Sequence, residues 1–160
     1  MRTLIVYYSL GGTTRKLAEA LAKTLSADIA EVRCSRYGRG AVDFLKACYD
    51  SLMSRLPEIE VKHASLQTYD LVLVGGPIWA GHVATPIRTY LNSRRGQFKR
   101  MAFFSTSGGP ASDRSLAEMA DIAGATPLAT LALRTSDVLE EKYAAAIDAF
   151  VRPLKLKAAA

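Results

Sequence analysis

The chain alternates short apolar runs with longer amphipathic stretches from end to end. Thr3–Tyr8 is an unbroken apolar run that closes on Ser9, the pattern of a strand buried on both faces. Over 15–26, Leu17, Leu21 and Leu25 recur every four residues with Ala18 and Ala22 beside them, which predicts a helix. Asp28–Arg33 alternates as a short strand. Ala41–Arg55 reads as a helix with Phe44, Leu45, Cys48, Leu52 and Leu56 on one side, stopped by Pro57. Tyr69–Gly75, containing Leu-Val-Leu-Val, is the strongest buried-strand signal. Gly76–His82 then reads as a loop, and Thr85–Asn92 as a helix with Pro86 in its first turn, where proline is tolerated. A strand over Lys99–Ser105, a glycine-rich loop over Ser107–Pro110 and a helix over Ser112–Ala123 follow, the helix lining its inner stripe with Leu116, Met119, Ala120 and Ala123. Pro127–Leu133 predicts a fifth strand and Ser136–Val151 a final helix. In that helix Asp137 and Glu140 have capping-box spacing, and Tyr143, Ile147, Phe150 and Val151 face inward.

Five apolar strands separated by helices predict an α/β fold with a parallel sheet covered on both faces. Right-handed crossovers make it a doubly wound sheet. The 160 residues suit one domain, taken as 1–155, with 156–160 as a frayed tail. The unusual feature is the long connection over 34–68, a length that carries its own helix and often shapes a site.

Composition narrows the class further. Hydrophobic residues make up 49% and charged ones 22%, ordinary for a globular protein. The net charge of +6 suits nucleic acid, headgroups or anionic small molecules. The densest basic run, Arg94–Arg100, precedes the fourth strand and carries no recognition motif, so no nucleic-acid partner is expected. Cys34 and Cys48 form neither a CxxC pair nor a disulfide framework. This usage fits a reducing cytoplasm, the expected location. No metal-ligand spacing, signal-peptide core or membrane span is visible.

The chemistry-bearing residues sit in three loops that leave the carboxyl ends of strands, where open α/β sheets bind ligands. The first is Ser9-Leu10-Gly11-Gly12-Thr13-Thr14. Its two glycines allow a tight turn, three hydroxyls surround the turn, and a helix N-terminus follows, which together make a phosphate site. The second is Gly75–His82, with Pro77, Ile78, Trp79, Ala80 and Gly81 at its centre and the chain's one tryptophan. The third holds Thr106, Ser107, Gly108 and Gly109. A phosphate cradle, two small-residue loops and an indole suit a flat, phosphorylated heterocycle.

At these three segments, Tyr-Tyr-Ser-Leu-Gly-Gly-Thr-Thr (7–14), Val-Gly-Gly-Pro-Ile-Trp-Ala-Gly (74–81) and Phe-Phe-Ser-Thr-Ser-Gly-Gly (103–109), the chain resembles the flavodoxin-like proteins that bind flavin mononucleotide (FMN). The resemblance implies a five-stranded parallel sheet of order 2-1-3-4-5. It implies that Ser9–Thr14 hold the FMN phosphate, that Pro77–Gly81 flank the isoalloxazine near N5 and O4, and that Thr106–Gly109 bind the pyrimidine edge. The family's first loop usually reads Ser/Thr-x-Thr-Gly-Asn-Thr, and Gly11 and Thr13 depart from it. Carrier flavodoxins usually place an aromatic in the third loop and are acidic. This third loop has no aromatic and the chain is basic, which implies an open flavin face and a reductase.

The expected function is therefore an FMN-binding oxidoreductase that passes hydride or electrons from a reduced donor such as NAD(P)H to a small acceptor such as a quinone. A flavodoxin-type electron carrier with a protein partner and a flavin-free regulatory domain are the alternatives. The resemblance also admits a homo-oligomer, although the sequence alone gives no interface signal. Flavin N5 would take the chemistry, with His82 a weak catalytic candidate and His63 a surface residue. Tyr37, Lys46 and Tyr49 are candidates for a lid. Arg15 and Lys16 begin the first helix, where solvation competes with attraction of the phosphate.

Overall fold

A computed structural model of the protein describes residues 1–110 and 113–156. The apolar runs form one sheet: β1 (Thr3–Tyr7), β2 (Asp28–Glu31), β3 (Leu71–Trp79), β4 (His82–Val83), β5 (Met101–Ser107) and β6 (Thr130–Arg134). The parallel strands lie in the order β2-β1-β3-β5-β6, and β4 pairs antiparallel with β3 outside that path. Counting only the parallel strands, this is the doubly wound 2-1-3-4-5 order.

Two helix layers cover the sheet. α1 (Thr13–Leu25) and α6 (Ala144–Leu156) bury Leu17, Leu21, Phe150 and Val151 against Ile5, Leu73 and Phe104. On the other face, α3 (Thr85–Ser93) and α4 (Asp113–Ala123) bury Ile87, Leu91, Leu116 and Met119 against Leu4, Val6, Val74 and Phe103. Alternate residues of each central strand thus feed opposite cores, which is why these strands read as unbroken apolar runs.

Several local expectations need correction. β3 does not end at Gly75 but runs on to Trp79, pairing Pro77 with Thr106 of β5. It then folds back through Ala80 and Gly81 into β4, with Trp79 opposite His82. Both turn residues have positive φ (50° and 82°), as a two-residue type I′ hairpin requires. The expected loop is therefore a hairpin with a rigid hydrogen-bonded base.

The final helix is two helices, α5 (Thr135–Leu139) and α6. Glu141 at φ 59° interrupts them. No capping box forms: α5 starts at Thr135, which puts Asp137 inside the helix, and the N-cap residue Arg134 makes no side-chain cap. Helix α6 includes Leu156, which the sequence had assigned to the tail; the remaining tail, 157–160, lies outside the described residues, as does Ser112, the expected start of α4.

The first helix begins at Thr13, two residues earlier than its apolar periodicity suggested. The largest correction concerns α2 (Ala41–Leu52). Its apolar side faces solvent, with Leu45 69% and Leu52 59% exposed. The helix docks instead through Ala47, Asp50 and Ser51. Its anchor is a charge: the Asp50 carboxylate, 1% exposed, accepts from Arg36 Nε (2.6 Å) and the Tyr37 hydroxyl (2.9 Å), and lies 3.4 Å from Arg55 Nε. Small side chains bring this face close to the body of the protein, and the ionic contacts fix its rotation.

Candidate functional site

The loop after β1 is built by its own hydroxyl. Ser9 Oγ accepts the Gly12 N–H at 3.1 Å. Gly12 then turns the chain at φ 96° as the N-cap of α1, a conformation that a side chain would strain. Its carbonyl accepts the first helical bond, from Lys16 N–H at 3.0 Å. No side chain caps the helix, so the Thr13, Thr14 and Arg15 amides are presented at its positive end. A Cβ built on Gly11 or Gly12 would meet nothing within 4 Å. Amides converging on open space form an anion cradle.

A hydrogen bond ties this cradle to the third loop. Thr14 Oγ1 and Thr106 Oγ1 lie 2.7 Å apart, and both residues are buried. Beyond Thr106, Ser107 Oγ donates to the Gly109 carbonyl at 3.0 Å. Gly108 and Gly109 would each accept a Cβ without contact within 4 Å. The second loop contributes Trp79, which is 3% exposed and held edge-on by Tyr8 (5.6 Å) and Tyr37 (5.2 Å).

The three segments meet around one cavity of about 670 Å³, within the range of small-molecule sites. Ser9, Leu10, Gly11, Thr13 and Thr14 line it from the first loop, Pro77, Ile78 and Trp79 from the second, and Thr106, Ser107 and Gly108 from the third. Gly12, Ala80, Gly81 and Gly109 do not line it: Gly12 shapes the cradle, Ala80 and Gly81 make the hairpin turn, and Gly109 receives the Ser107 hydroxyl.

The sequence reading missed a fourth wall. Arg39, Gly40, Ala41 and Phe44 from the long connection, with Thr135 at the start of α5, complete the lining. The length of that connection was the only signal that it shapes the site. Its expected lid residues lie elsewhere. Tyr37 is buried, and because its hydroxyl donates to Asp50, Thr85 Oγ1 donates to it across 2.7 Å. Lys46 reaches the Arg36 carbonyl at 3.4 Å, and Tyr49 is on the outer face of α2, 54% exposed.

Arg15, Lys16 and His82 are each engaged by a carboxylate. Arg15 pairs with Glu31 at 2.5 Å and Lys16 with Glu141 at 2.9 Å. His82 lines a separate cavity with Glu118 and Arg114, and its Nδ1 lies 3.0 Å from Glu118 Oε1. Burial pushes the Glu118 carboxyl up, but the Val83 N–H, His82 and Arg88 together outweigh it and hold the carboxyl below its usual range. At Asp50 the Arg36 hydrogen bond leads in lowering the carboxyl pKa. His63 is tucked between the Ala64 carbonyl (2.6 Å) and the Tyr90 hydroxyl (3.0 Å). Three cations of the basic run donate to backbone carbonyls: Arg95 to Asp121 and Ile122, Lys99 to Gln67, and Arg100 to Asp70.

A doubly wound sheet with an open helix N-terminus after β1 and two further strand-end loops around one cavity has the layout of a mononucleotide-binding α/β protein. A flavodoxin family model matches residues 2–132, and the chain belongs to the flavodoxin family. It is similar to a flavoprotein of Lactobacillus acidophilus NCFM solved in complex with FMN, with 26% identity over 88% of this chain and 97% of that one, at a TM-score of 0.72. The apo-form of the flavoprotein from that organism, solved by NMR, is 29% identical over 83% and 90%, at 0.62. A flavoprotein of Bacteroides eggerthii DSM 20697 shares the fold at 0.72, with 22% identity over 94% and 98%. None of the curated proteins compared with the chain matches it. Among the described residues no helix is long and apolar enough to cross a membrane.

Proposed function

We propose that this protein is an FMN-dependent oxidoreductase that passes hydride or electrons from a reduced donor such as NAD(P)H to a small acceptor such as a quinone. The observation that carries this reading is the convergence of an uncapped helix N-terminus and two strand-end loops on one cavity of about 670 Å³. The open space at Gly11, Gly12, Gly108 and Gly109 is where phosphate and ring would be accommodated, and the similar Lactobacillus flavoprotein was solved with FMN.

When bound, FMN supplies the redox chemistry. The protein's residues supply placement. The Thr13, Thr14 and Arg15 amides would hold the phosphate, and Thr14 would transmit that position to Thr106 beside the ring's polar edge. Trp79, fixed by Tyr8 and Tyr37, gives one apolar wall. The third loop adds no aromatic, which leaves room for a reacting partner over the ring. Exposed Arg39 lines both this cavity and its neighbour, where a cation suits a donor's phosphate.

Purified protein loaded with FMN and mixed with NADH or NADPH and a benzoquinone tests the reading. Catalytic oxidation of either nucleotide is the expected result. Tight FMN binding without turnover on either nucleotide would instead make the protein an electron carrier. Failure to take up FMN at all would leave a flavin-free domain on the same fold.

A further inference from the structure

The exposed side of α2 carries Val42, Leu45, Tyr49 and Leu52, at successive spacings of three, four and three. This is the seam spacing of a helix that packs on another helix. Met53 and Leu56 extend the patch beyond the last turn. Each of these six residues is more than half exposed. Together they present on the order of 700 Å² of surface, above the roughly 300–600 Å² of the largest patch on an ordinary monomer. The total is close to the roughly 800 Å² that each partner buries in a standard interface.

We propose that this face is a two-fold interface between two copies of the chain, in which the α2 helices pack antiparallel, seam to seam. Three observations select a second copy over another occupant. The patch alone has the area that each half of a symmetric dimer needs. The seam is self-complementary, because apolar positions recur along its length and meet apolar positions when the helix is reversed. Its inner face is already fixed by Asp50 with Arg36, Tyr37 and Arg55, so the helix cannot roll to bury the seam in its own domain. An acidic redox partner would need a dense basic surface here, whereas the seam side chains are apolar, with Lys46 at the margin and the Arg55 guanidinium 5.7 Å over the Tyr49 ring. Phe44, 49% exposed and next to Leu45 in the helix, lines the cavity wall, so the second copy would lie near the cavity mouth.

The proposal does not depend on the cofactor, and sedimentation velocity tests it on the protein with and without FMN. The expected mass is twice the 17.3 kDa of one chain at micromolar concentration in both states. Leu45→Glu and, separately, Val42→Glu should each give a monomer with unchanged far-UV circular dichroism; Val42, 80% exposed, keeps the test valid if the leucine variant misfolds. A wild-type monomer at these concentrations overturns the proposal. So does a dimer that persists in both folded variants, or a wild-type monomer that floats with phosphatidylcholine vesicles, which would make the patch a membrane contact.

Discussion

Thr14, in the first turn of α1, and Thr106, near the end of β5, share a buried 2.7 Å hydrogen bond. They are 92 residues apart in sequence, and this bond joins the start of α1 to the end of β5, both of which line the cavity. Either oxygen can donate, and each hydroxyl retains capacity to meet a ligand.

Replacing either threonine by valine keeps the shape and strands the other hydroxyl. Thr14→Val or Thr106→Val should each destabilise the fold by about 1–3 kcal/mol in urea unfolding. The double variant should cost less than the sum of the singles, since it leaves no orphaned partner. Additive losses would mean that the two hydroxyls do not interact.

Gly75 faces a different constraint. A Cβ there would come within 2.3 Å of the Phe104 ring, where neighbouring strands approach. Gly75→Ala should cost about 3 kcal/mol, read as a lowered urea midpoint. Gly11→Thr, in open space, restores the family's usual residue and should tighten FMN binding up to about tenfold, or about 1.4 kcal/mol, in a fluorescence titration.

The Asp50 carboxyl is held below its ordinary value, chiefly by Arg36. A carboxylate whose pKa is depressed by folding adds stability that is fully present above its unfolded value, about 3.9. That contribution is lost as pH falls from there through the lower folded value. Asp50→Asn should cost about 1.5–3 kcal/mol at neutral pH and flatten the acid limb of stability below about pH 4. An unchanged acid limb would show that Asp50 does not hold α2 through its charge.

Arg39 and His82 separate two roles at the site. Arg39→Ala should raise the KM for NAD(P)H by about tenfold, with kcat little changed, as loss of a binding contact does. His82→Asn should leave both parameters within about twofold, because its ring is engaged by Glu118 outside the cavity. A large fall in kcat for His82→Asn would place it in proton transfer.

The strands and the three loops were legible because they rest on local signals: unbroken apolar runs, and glycines and hydroxyls placed directly after them; the strand order followed only from the family that those loops resemble. Other features depend on partners distant in sequence. The apolar periodicity of α2 is real, yet a single buried carboxylate outweighs it, and no local pattern announces that Arg36 and Tyr37 converge on Asp50. Nor does Gly76-Pro77 look like strand interior until β5 pairs along it and β4 pairs with Ile78 and Trp79 just beyond it. Phe44 and Arg39 reach the cavity only because the 34–68 connection folds back over the strand ends.

The most direct test of the site is a parallel fluorescence titration of the protein with FMN and with riboflavin, which lacks the phosphate. One FMN per chain and about 100-fold weaker riboflavin binding, about 2.8 kcal/mol, is the result expected of a cradle built on the α1 amides. Equal affinities, or no uptake of FMN, would contradict it.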